Sequence, residues 1–205
     1  MRVAYALLGV VWLLIFVALA GGFHFNFGRT SNTSGERTSL ITSTTTSMPS
    51  STLSIASPAF ETSQPIPSRY TCDGEHVNPQ LTISGVPDGA KSLVLIVEDP
   101  DVPKQLKPDG VFDHWVLFNV PPETGTISEN GSAGVSGVNG AGKNAYAAPC
   151  PPVQYEPSEH RYFFKLYALD TILDLSAGSS KAEVERAMVG HVIAEAQLLG
   201  RYKRK

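Results

Sequence analysis

The amino-acid sequence predicts a mainly antiparallel β domain that closes with a C-terminal helix, and three observations support this prediction. Long runs of Val, Ile, Leu and aromatic residues recur along the second half of the chain, and Pro- and Gly-rich connections separate them. One stretch near the C-terminus instead has apolar residues at helical spacing. Runs that are apolar throughout are typical of strands covered on both faces.

Four segments are predicted as strands. The first alternates apolar and polar residues before a turn at "PDG", whereas the other three are almost continuously apolar. The long connection 132–144, "SAGVSGVNGAGKN", is rich in Gly, and a connection of this length is usually functional or mobile. In chain order the predicted strands are Gln80–Val86, Ser92–Glu98, His114–Val120 and Arg161–Asp170.

The predicted helix begins at a capping box, in which Ser180 is followed three residues later by Glu183. Gly190 is expected to kink or split this helix. His191 lies on the apolar stripe, so we expect it to be buried and hydrogen-bonded. The residues at helical spacing are Val184, Ala187, Met188, His191, Val192, Leu198 and Leu199.

The N-terminus is predicted to be a signal-anchor or transmembrane segment over residues 1–23. The run Val3–Phe23 contains no charged residue and is long enough to cross a hydrocarbon core of about 30 Å. Arg2 precedes it, which favours a globular domain outside the cell membrane, as a single-pass protein. The alternative is a secreted protein, cleaved after the small residues Ala18–Ala20.

A Ser/Thr-rich disordered tether is predicted over residues 24–57, followed by a folded domain over residues 58–205. Ser and Thr make up 17 of the 30 residues 29–58, without strand or helix periodicity. Asn32 and Asn130 begin N-glycosylation motifs. The net charge of −3 and the lack of a basic face argue against a nucleic-acid partner.

The chain has two cysteines, Cys72 and Cys150. An exported domain lies in a compartment where disulfides persist, so the two can be bonded. The alternative is a pair of buried thiols.

Polar residues cluster at the ends of the predicted strands. Asp99 and Asp101 follow the second strand, and His114 opens the third. His160 and Tyr162 lie two residues apart in the fourth, so alternation places them on one face. If these strands are neighbours, their ends bring the five side chains together.

Three chemistries could use such a group, and the residues alone leave the choice open. Carboxylates and imidazoles bind metals, but the sequence has no HExxH-like spacing and no Cys/His cluster. An acid and a histidine can serve hydrolysis, but no nucleophile elbow is present. Histidines and a tyrosine can donate to an anion. Asp and Pro are also common simply as turn residues.

Several separated motifs resemble those of the phosphatidylethanolamine-binding proteins, also called Raf kinase inhibitor-like proteins, in their bacterial and archaeal YbhB/YbcL branch. The likeness covers nearly all of residues 57–202. Its motifs are "SPAFETSQPIPSRYTCDGEHVNPQLTISGVP" from Ser57, "DPDVP" from Asp99, "HWVLFNV" from His114, "PCPP" from Pro149, "HRYFFKLYALD" from His160 and "GHVIAEAQLLGRY" from Gly190.

The resemblance implies an antiparallel β-sandwich with a small pocket for phosphate-bearing, phosphorylethanolamine-like groups. It implies no enzymatic activity and no cofactor. Ala148 stands where the family usually has glycine, and "VQYEP" at Val153–Pro157 looks like an insertion that, with the 132–144 connection, could cover the pocket. The implied ligand-binding residues are Asp99, Asp101, Pro103, His114, Pro149, Cys150, Pro151, His160 and Tyr162.

The function expected from the sequence is therefore a binding protein displayed outside the cell membrane, whose ligand is a phosphate-bearing small molecule or lipid head group. One alternative is an inhibitor or regulator of a protein partner, such as a protease or kinase. A hydrolase or metalloenzyme using the same residues is the third hypothesis.

Overall fold

The computed structural model describes residues 52–204, so the predicted membrane segment and most of the predicted tether lie outside the described residues. Within residues 52–204, no helix is long and apolar enough to cross a membrane. The strands are β1 (Ser54–Ala56), β2 (Gln64–Pro65), β3 (Leu81–Ser84), β4 (Ser92–Asp99), β5 (Phe112–Val120), β6 (Thr126–Ile127), β7 (Val135–Ser136), β8 (Glu159–Leu169) and β9 (Val192–Lys203), and the one α-helix of this range is α1 (Lys181–Met188).

The fold is mainly β, and its larger sheet has six strands in the order β2-β9-β8-β4-β5-β7. All neighbours in this sheet are antiparallel except β2 and β9, which are parallel. Every residue of the central strand β4 is buried. Its apolar run therefore does what the sequence predicted: it forms a strand covered on both faces.

A smaller antiparallel sheet, in the order β1-β3-β6, covers one face of the larger sheet. Side chains from both sheets join in a single buried apolar cluster, which is the main core of this β-sandwich. The small sheet contributes Leu53, Ile55, Leu81, Ile83 and Ile127, and the large sheet contributes Leu93, Leu95, Val97, Trp115, Leu117, Phe164 and Leu166 among others.

The folded domain begins earlier than predicted, because β1 lies inside the segment 24–57 that was predicted as tether. Leu53 and Ile55 alternate with polar neighbours and are buried in the core, and β1 pairs with β3 at Ser54–Ser84. A strand this short has too little periodicity to stand out in a Ser/Thr-rich stretch.

Helix α1 covers the opposite face of the large sheet. Its buried residues Val184 and Met188 pack in a second apolar cluster with Val94, Val116 and Phe118 of the sheet. The predicted capping box is present, since the Ser180 hydroxyl accepts from the Glu183 N–H and the Glu183 carboxylate accepts from the Ser180 N–H.

The prediction of a helix beyond Met188 was wrong. The chain turns at Gly190, which has a φ of 81°, and residues 192–203 form β9, antiparallel to β8 over its whole length. The segment is rich in Ala, Glu, Gln and Leu, which favour helix, but pairing with the long apolar strand β8 overrides that preference. His191 is exposed rather than buried, and its Nδ1 lies 2.8 Å from Asp170 Oδ1.

Candidate functional site

The polar strand ends do meet. Strand β4 pairs with β5 on one side and with β8 on the other, so Asp99, His114 and His160 come together at one end of the large sheet. They border a cavity of about 590 Å³. Its lining residues are Asp99, Val102, Leu106, Lys107, Phe112, His114, Gly140, Ala147, Ala148, Cys150, Pro151, Pro152 and His160.

A break in strand register directs His114 toward this cavity. Val97 pairs with Trp115, but the next residue, Glu98, pairs with Asp113, so His114 has no partner on β4. An extra residue of this kind is a β-bulge, and bulges re-aim side chains near functional sites. Strict alternation would place His114 on the same face as Val116, which packs against helix α1. The bulge is therefore what brings this imidazole to the cavity.

Asp99 and His160 form a buried pair. Asp99 Oδ2 lies 2.7 Å from His160 Nδ1, and the two side chains are only 4% and 1% exposed. The second Asp99 oxygen accepts the backbone N–H of Asp101 at 2.8 Å. Since an ionised carboxylate can only accept, the proton of this pair lies on Nδ1. The other ring nitrogen, His160 Nε2, is buried and has no hydrogen-bond partner among the described residues.

His114 is held from the other side of the cavity by the backbone. Its Nδ1 lies 2.6 Å from the Ala147 carbonyl oxygen, and the Ala147 N–H donates to the His114 carbonyl at 2.8 Å. A carbonyl accepts, so Nδ1 carries a proton and Nε2 of the neutral ring has a lone pair. Burial lowers the pKa of His114 below its ordinary value of 6.5, which favours this neutral form.

Tyr162 lies beneath the two histidines rather than in the cavity lining. Its ring packs edge-on against His114, with centroids 5.2 Å apart, and its side chain is fully buried. The hydroxyl has no hydrogen-bond partner among the described residues. Burial first, and then the charge of Asp99, raise the pKa of Tyr162, so its hydroxyl keeps its proton.

The mouth of the cavity is mostly apolar. Leu106 is 53% exposed there, and Phe112 packs against His114 with ring centroids 4.8 Å apart. Gly140 lies against the Phe112 ring so closely that an added Cβ would come within 2.8 Å of it. Lys107 supplies the one cationic side chain of the lining, and it donates to Asp109 and to the Val111 carbonyl.

Asp101 was predicted to belong to the pocket, but it does not line the cavity. Its carboxylate accepts hydrogen bonds from two side-chain nitrogens of Arg161, Nε at 2.8 Å and Nη2 at 2.7 Å, and from the Arg161 backbone N–H at 2.9 Å. The hydrogen bonds from Arg161 lower the pKa of Asp101, although burial of the carboxylate opposes this effect. The Arg161 side chain is half exposed, so this pair lies on the rim.

The predicted proline wall is partly in place. Ala148, Cys150, Pro151 and Pro152 line the cavity, whereas Pro103 and Pro149 are buried outside its lining. Cys150 is bonded to Cys72, with the two Cα atoms 5.3 Å apart. Of the two segments proposed as covers, 132–144 contributes Gly140 to the lining and Val153–Pro157 contributes nothing.

The cavity lining is poor in hydroxyl and thiol side chains. No serine, threonine or free cysteine is present in its lining. Within residues 52–204, no three His, Cys, Asp or Glu side chains are grouped to hold a metal ion. What the arrangement offers is two imidazoles, a carboxylate, a nearby tyrosine hydroxyl and an apolar mouth, which suits recognition of a small polar group.

The motifs did not predict the parts played by Lys107, Phe112, Arg161 and the Ala147 carbonyl. Arg161 follows His160 directly, so the alternation of β8 turns it outward, and that signal was available. The Ala147 carbonyl is a backbone group that any residue would supply, and no sequence signal marks it.

The comparisons with known proteins place the chain in a family. The model of the phosphatidylethanolamine-binding protein family matches residues 56–203, so the chain belongs to that family. A UPF0098 protein of Methanothermobacter thermautotrophicus is 49% identical over 153 residues, covering 71% of this chain and 95% of that protein.

Two solved structures are similar. The crystal structure of a putative phosphatidylethanolamine-binding protein homologue, CT736 of Chlamydia trachomatis, has a TM-score of 0.72 at 43% identity, covering 76% of this chain and all of that one. Escherichia coli YbcL, described as a member of the mammalian family, has a TM-score of 0.66 at 27% identity, covering 75% and 99%. CT736 is matched over its whole length, so the solved chain of that relative corresponds to the β domain and has no counterpart of the segment that precedes it here.

Proposed function

We propose that this protein binds phosphate-bearing groups of the phosphorylethanolamine type without turning them over. The observation that carries the proposal is the buried Asp99–His160 pair at the cavity, whose nitrogen Nε2 has no partner within the described residues. A buried polar atom without a partner costs about 1–3 kcal/mol, and a ligand oxygen would relieve that cost.

The positions of the protons on the two imidazole rings determine how the site can bind phosphate. A phosphate oxygen accepts from an imidazole nitrogen only when that nitrogen carries a proton. Both Nδ1 atoms already donate, to Asp99 and to Ala147, so a ring donates to phosphate only when its Nε2 also carries a proton. The Asp99 carboxylate compensates the positive charge that arises on His160, and the Tyr162 hydroxyl is a further available donor beneath the rings. Because burial lowers the pKa of His114 and favours its neutral form, a hydrogen bond from His114 Nε2 to phosphate requires proton uptake.

The cavity also accommodates more than the phosphate. A volume of about 590 Å³ with Leu106, Phe112 and prolines at its mouth leaves room for an organic substituent. Asp99 supplies negative charge inside the cavity that suits a neighbouring ammonium group. These features support phosphorylethanolamine-like ligands over free phosphate.

Calorimetric titration of residues 52–205 tests the proposal, with phosphorylethanolamine, inorganic phosphate and ethanolamine as ligands. We expect binding of the two phosphate ligands, no binding of ethanolamine, and proton uptake that is visible as a dependence of the heat on the buffer. Incubation with phosphomonoesters should release no phosphate. Binding of ethanolamine alone, or sustained hydrolysis, would contradict the proposal.

The location proposed is the outer side of the cell membrane. The uncharged run Val3–Phe23 and the disulfide between Cys72 and Cys150 support it, because disulfides persist in oxidising compartments. Protease added to intact cells should remove the β domain while a cytoplasmic marker stays whole. Protection of the domain until the cells are lysed would overturn this placement.

A further inference from the structure

The disulfide joins a firmly held part of the domain to the wall of the cavity. On one side, Cys72 follows a 3-10 turn (Ser68–Tyr70) whose Tyr70 is buried, and buried Thr71 donates twice to the Ser68 carbonyl. On the other side, Cys150 lies between the wall residues Ala148 and Pro151 and lines the cavity.

The wall has few other attachments. Residues 148–158 connect Ala147, which is hydrogen-bonded to His114, with the start of β8 at Glu159. Among the hydrogen bonds of the described residues, a single one joins this stretch to another part of the domain, from the Cys72 N–H to the Pro149 carbonyl at 3.0 Å. Because this hydrogen bond lies beside the disulfide, the two attach the stretch to the rest of the domain at the same place. The packing of the buried residues Pro149 and Pro151 also keeps this stretch in place.

The cysteine on the wall side is the more exposed of the two residues. Cys150 is exposed, whereas Cys72 is partly buried. A thiolate therefore reaches the Cys150 sulfur more readily, and Cys72 is the leaving group.

We propose that the Cys72–Cys150 disulfide is a redox-sensitive latch of the cavity wall, which holds the wall when oxidised and releases it when a dithiol reduces the bond. One thiolate of the dithiol attacks Cys150 and expels Cys72 as a thiolate, which takes up a proton. The second thiol of the reagent then displaces Cys150 as a thiol. Two electrons and two protons pass to the protein, and the dithiol becomes a disulfide.

The consequence for binding rests on the function proposed above. A released wall no longer holds the Ala147 carbonyl against His114 Nδ1 or encloses the ligand, so the binding-competent conformation is populated for a smaller fraction of the time. The apparent affinity falls by that fraction. Because buried Pro149 and Pro151 still pack, we expect weaker binding rather than none.

The test uses residues 52–205 with the disulfide intact and after reduction by dithiothreitol, with amide hydrogen exchange followed by NMR. We expect the Cys72 and Ala147 amides to exchange about tenfold faster after reduction, while amides of the central strand β4 stay protected. Phosphorylethanolamine affinity should fall by about tenfold. A Cys72→Ser/Cys150→Ser variant should match the reduced protein and not respond to dithiothreitol.

The outcomes separate the latch from the proposed function. Unchanged exchange at Cys72 and Ala147 would overturn the latch even if phosphorylethanolamine binds, and so would an unchanged affinity. Loss of protection throughout β4 would also overturn it, since the disulfide would then hold the whole domain. If the oxidised protein binds no phosphate ligand, the proposed function fails, and the wall amides alone decide whether the latch exists.

Discussion

Two clusters of charged residues lie back to back at the same end of the large sheet, and they differ in one respect. Glu98 and Asp99 are consecutive in β4, so their side chains point to opposite faces. On the helix face, Glu98 is bound by Lys165 at 2.5 Å and by Lys181 at 2.9 Å, and Lys181 also pairs with Asp113 at 2.8 Å. On the cavity face, Asp99 accepts from His160 Nδ1 and from the Asp101 backbone N–H, and no lysine or arginine of residues 52–204 pairs with it.

The helix-face cluster balances its own charges. Burial opposes the charge of Glu98, but hydrogen bonds from Lys165 and Lys181 outweigh it and lower the pKa of this carboxyl. Burial likewise opposes the charge of Lys181, and its bonds to Asp113 and Glu98 outweigh that effect and raise its pKa. The Asp99–His160 pair instead leaves one ring nitrogen, His160 Nε2, without a partner in the part of the chain that the structure describes. The comparison teaches that a cluster in which every charge lies beside an opposite charge is structural, whereas a pair whose buried ring nitrogen faces a cavity is a candidate site.

The largest effect should come from breaking the helix-face cluster. We expect Glu98→Gln to lower the free energy of unfolding by about 2–3 kcal/mol, because two lysines lose their shared counter-ion in a mostly buried setting. Phosphorylethanolamine affinity should stay unchanged. Urea unfolding and calorimetry measure the two quantities, with Glu195→Gln on the exposed side of β9 as the control. A loss of affinity equal to that of a cavity variant would contradict the division of roles.

The second prediction removes the unmet hydrogen bond on the cavity face. We expect His160→Asn to lower phosphorylethanolamine affinity by about 10- to 100-fold, since a charge-assisted hydrogen bond is worth roughly 1.5–3 kcal/mol. Calorimetric titration checks it, and His191→Asn is the matched control, because His191 also pairs with an aspartate but is exposed. Undiminished affinity in the His160 variant would remove this residue from the site.

A third prediction concerns pH. Because burial lowers the pKa of His114 in the folded protein, the unfolded chain binds more protons once the pH falls below about 6.5. The contribution of this group to stability is therefore present above pH 6.5 and lost as the pH falls toward the lowered value. Urea unfolding at pH 7.5 and pH 5.5 measures it, and His114→Gln should show a smaller decrease. An equal decrease in both proteins would contradict the assignment.

The smallest effect is expected at Asp101. Its bidentate pair with Arg161 is on the rim, where the Arg161 side chain is half exposed, and surface pairs contribute about 0–1 kcal/mol. Asp101→Asn should change phosphorylethanolamine affinity by less than about threefold. Calorimetric titration beside Asp99→Asn, which we expect to lose most of the affinity, sharpens the contrast between two aspartates one residue apart. Equal losses of phosphorylethanolamine affinity in both variants would show that Asp101 also takes part in binding.

The sequence predicted the frame of the site better than its details. The three long apolar strands and the meeting of Asp99, His114 and His160 follow from hydrophobic patterning and from the order of the strands. The register break at His114 could not be predicted in this way. It depends on how β4 pairs with β5, and no feature of the composition indicates it. Asp101 lies outside the cavity lining because its carboxylate pairs with Arg161. The sequence alone does not show which neighbouring group binds this carboxylate. The strand β9 was missed because its residues favour helix and its partner lies far away in sequence.

The most direct test of the account is a titration of residues 52–205 with phosphorylethanolamine, observed through the imidazole ¹⁵N resonances of His114 and His160. We predict that binding shifts the His160 Nε2 resonance to that of a protonated nitrogen that donates to an oxygen, while Nδ1 of both rings keeps its proton. Ethanolamine should leave these resonances in place. If phosphorylethanolamine binds and both Nε2 resonances stay unchanged, the Asp99–His160 pair is not the recognition element.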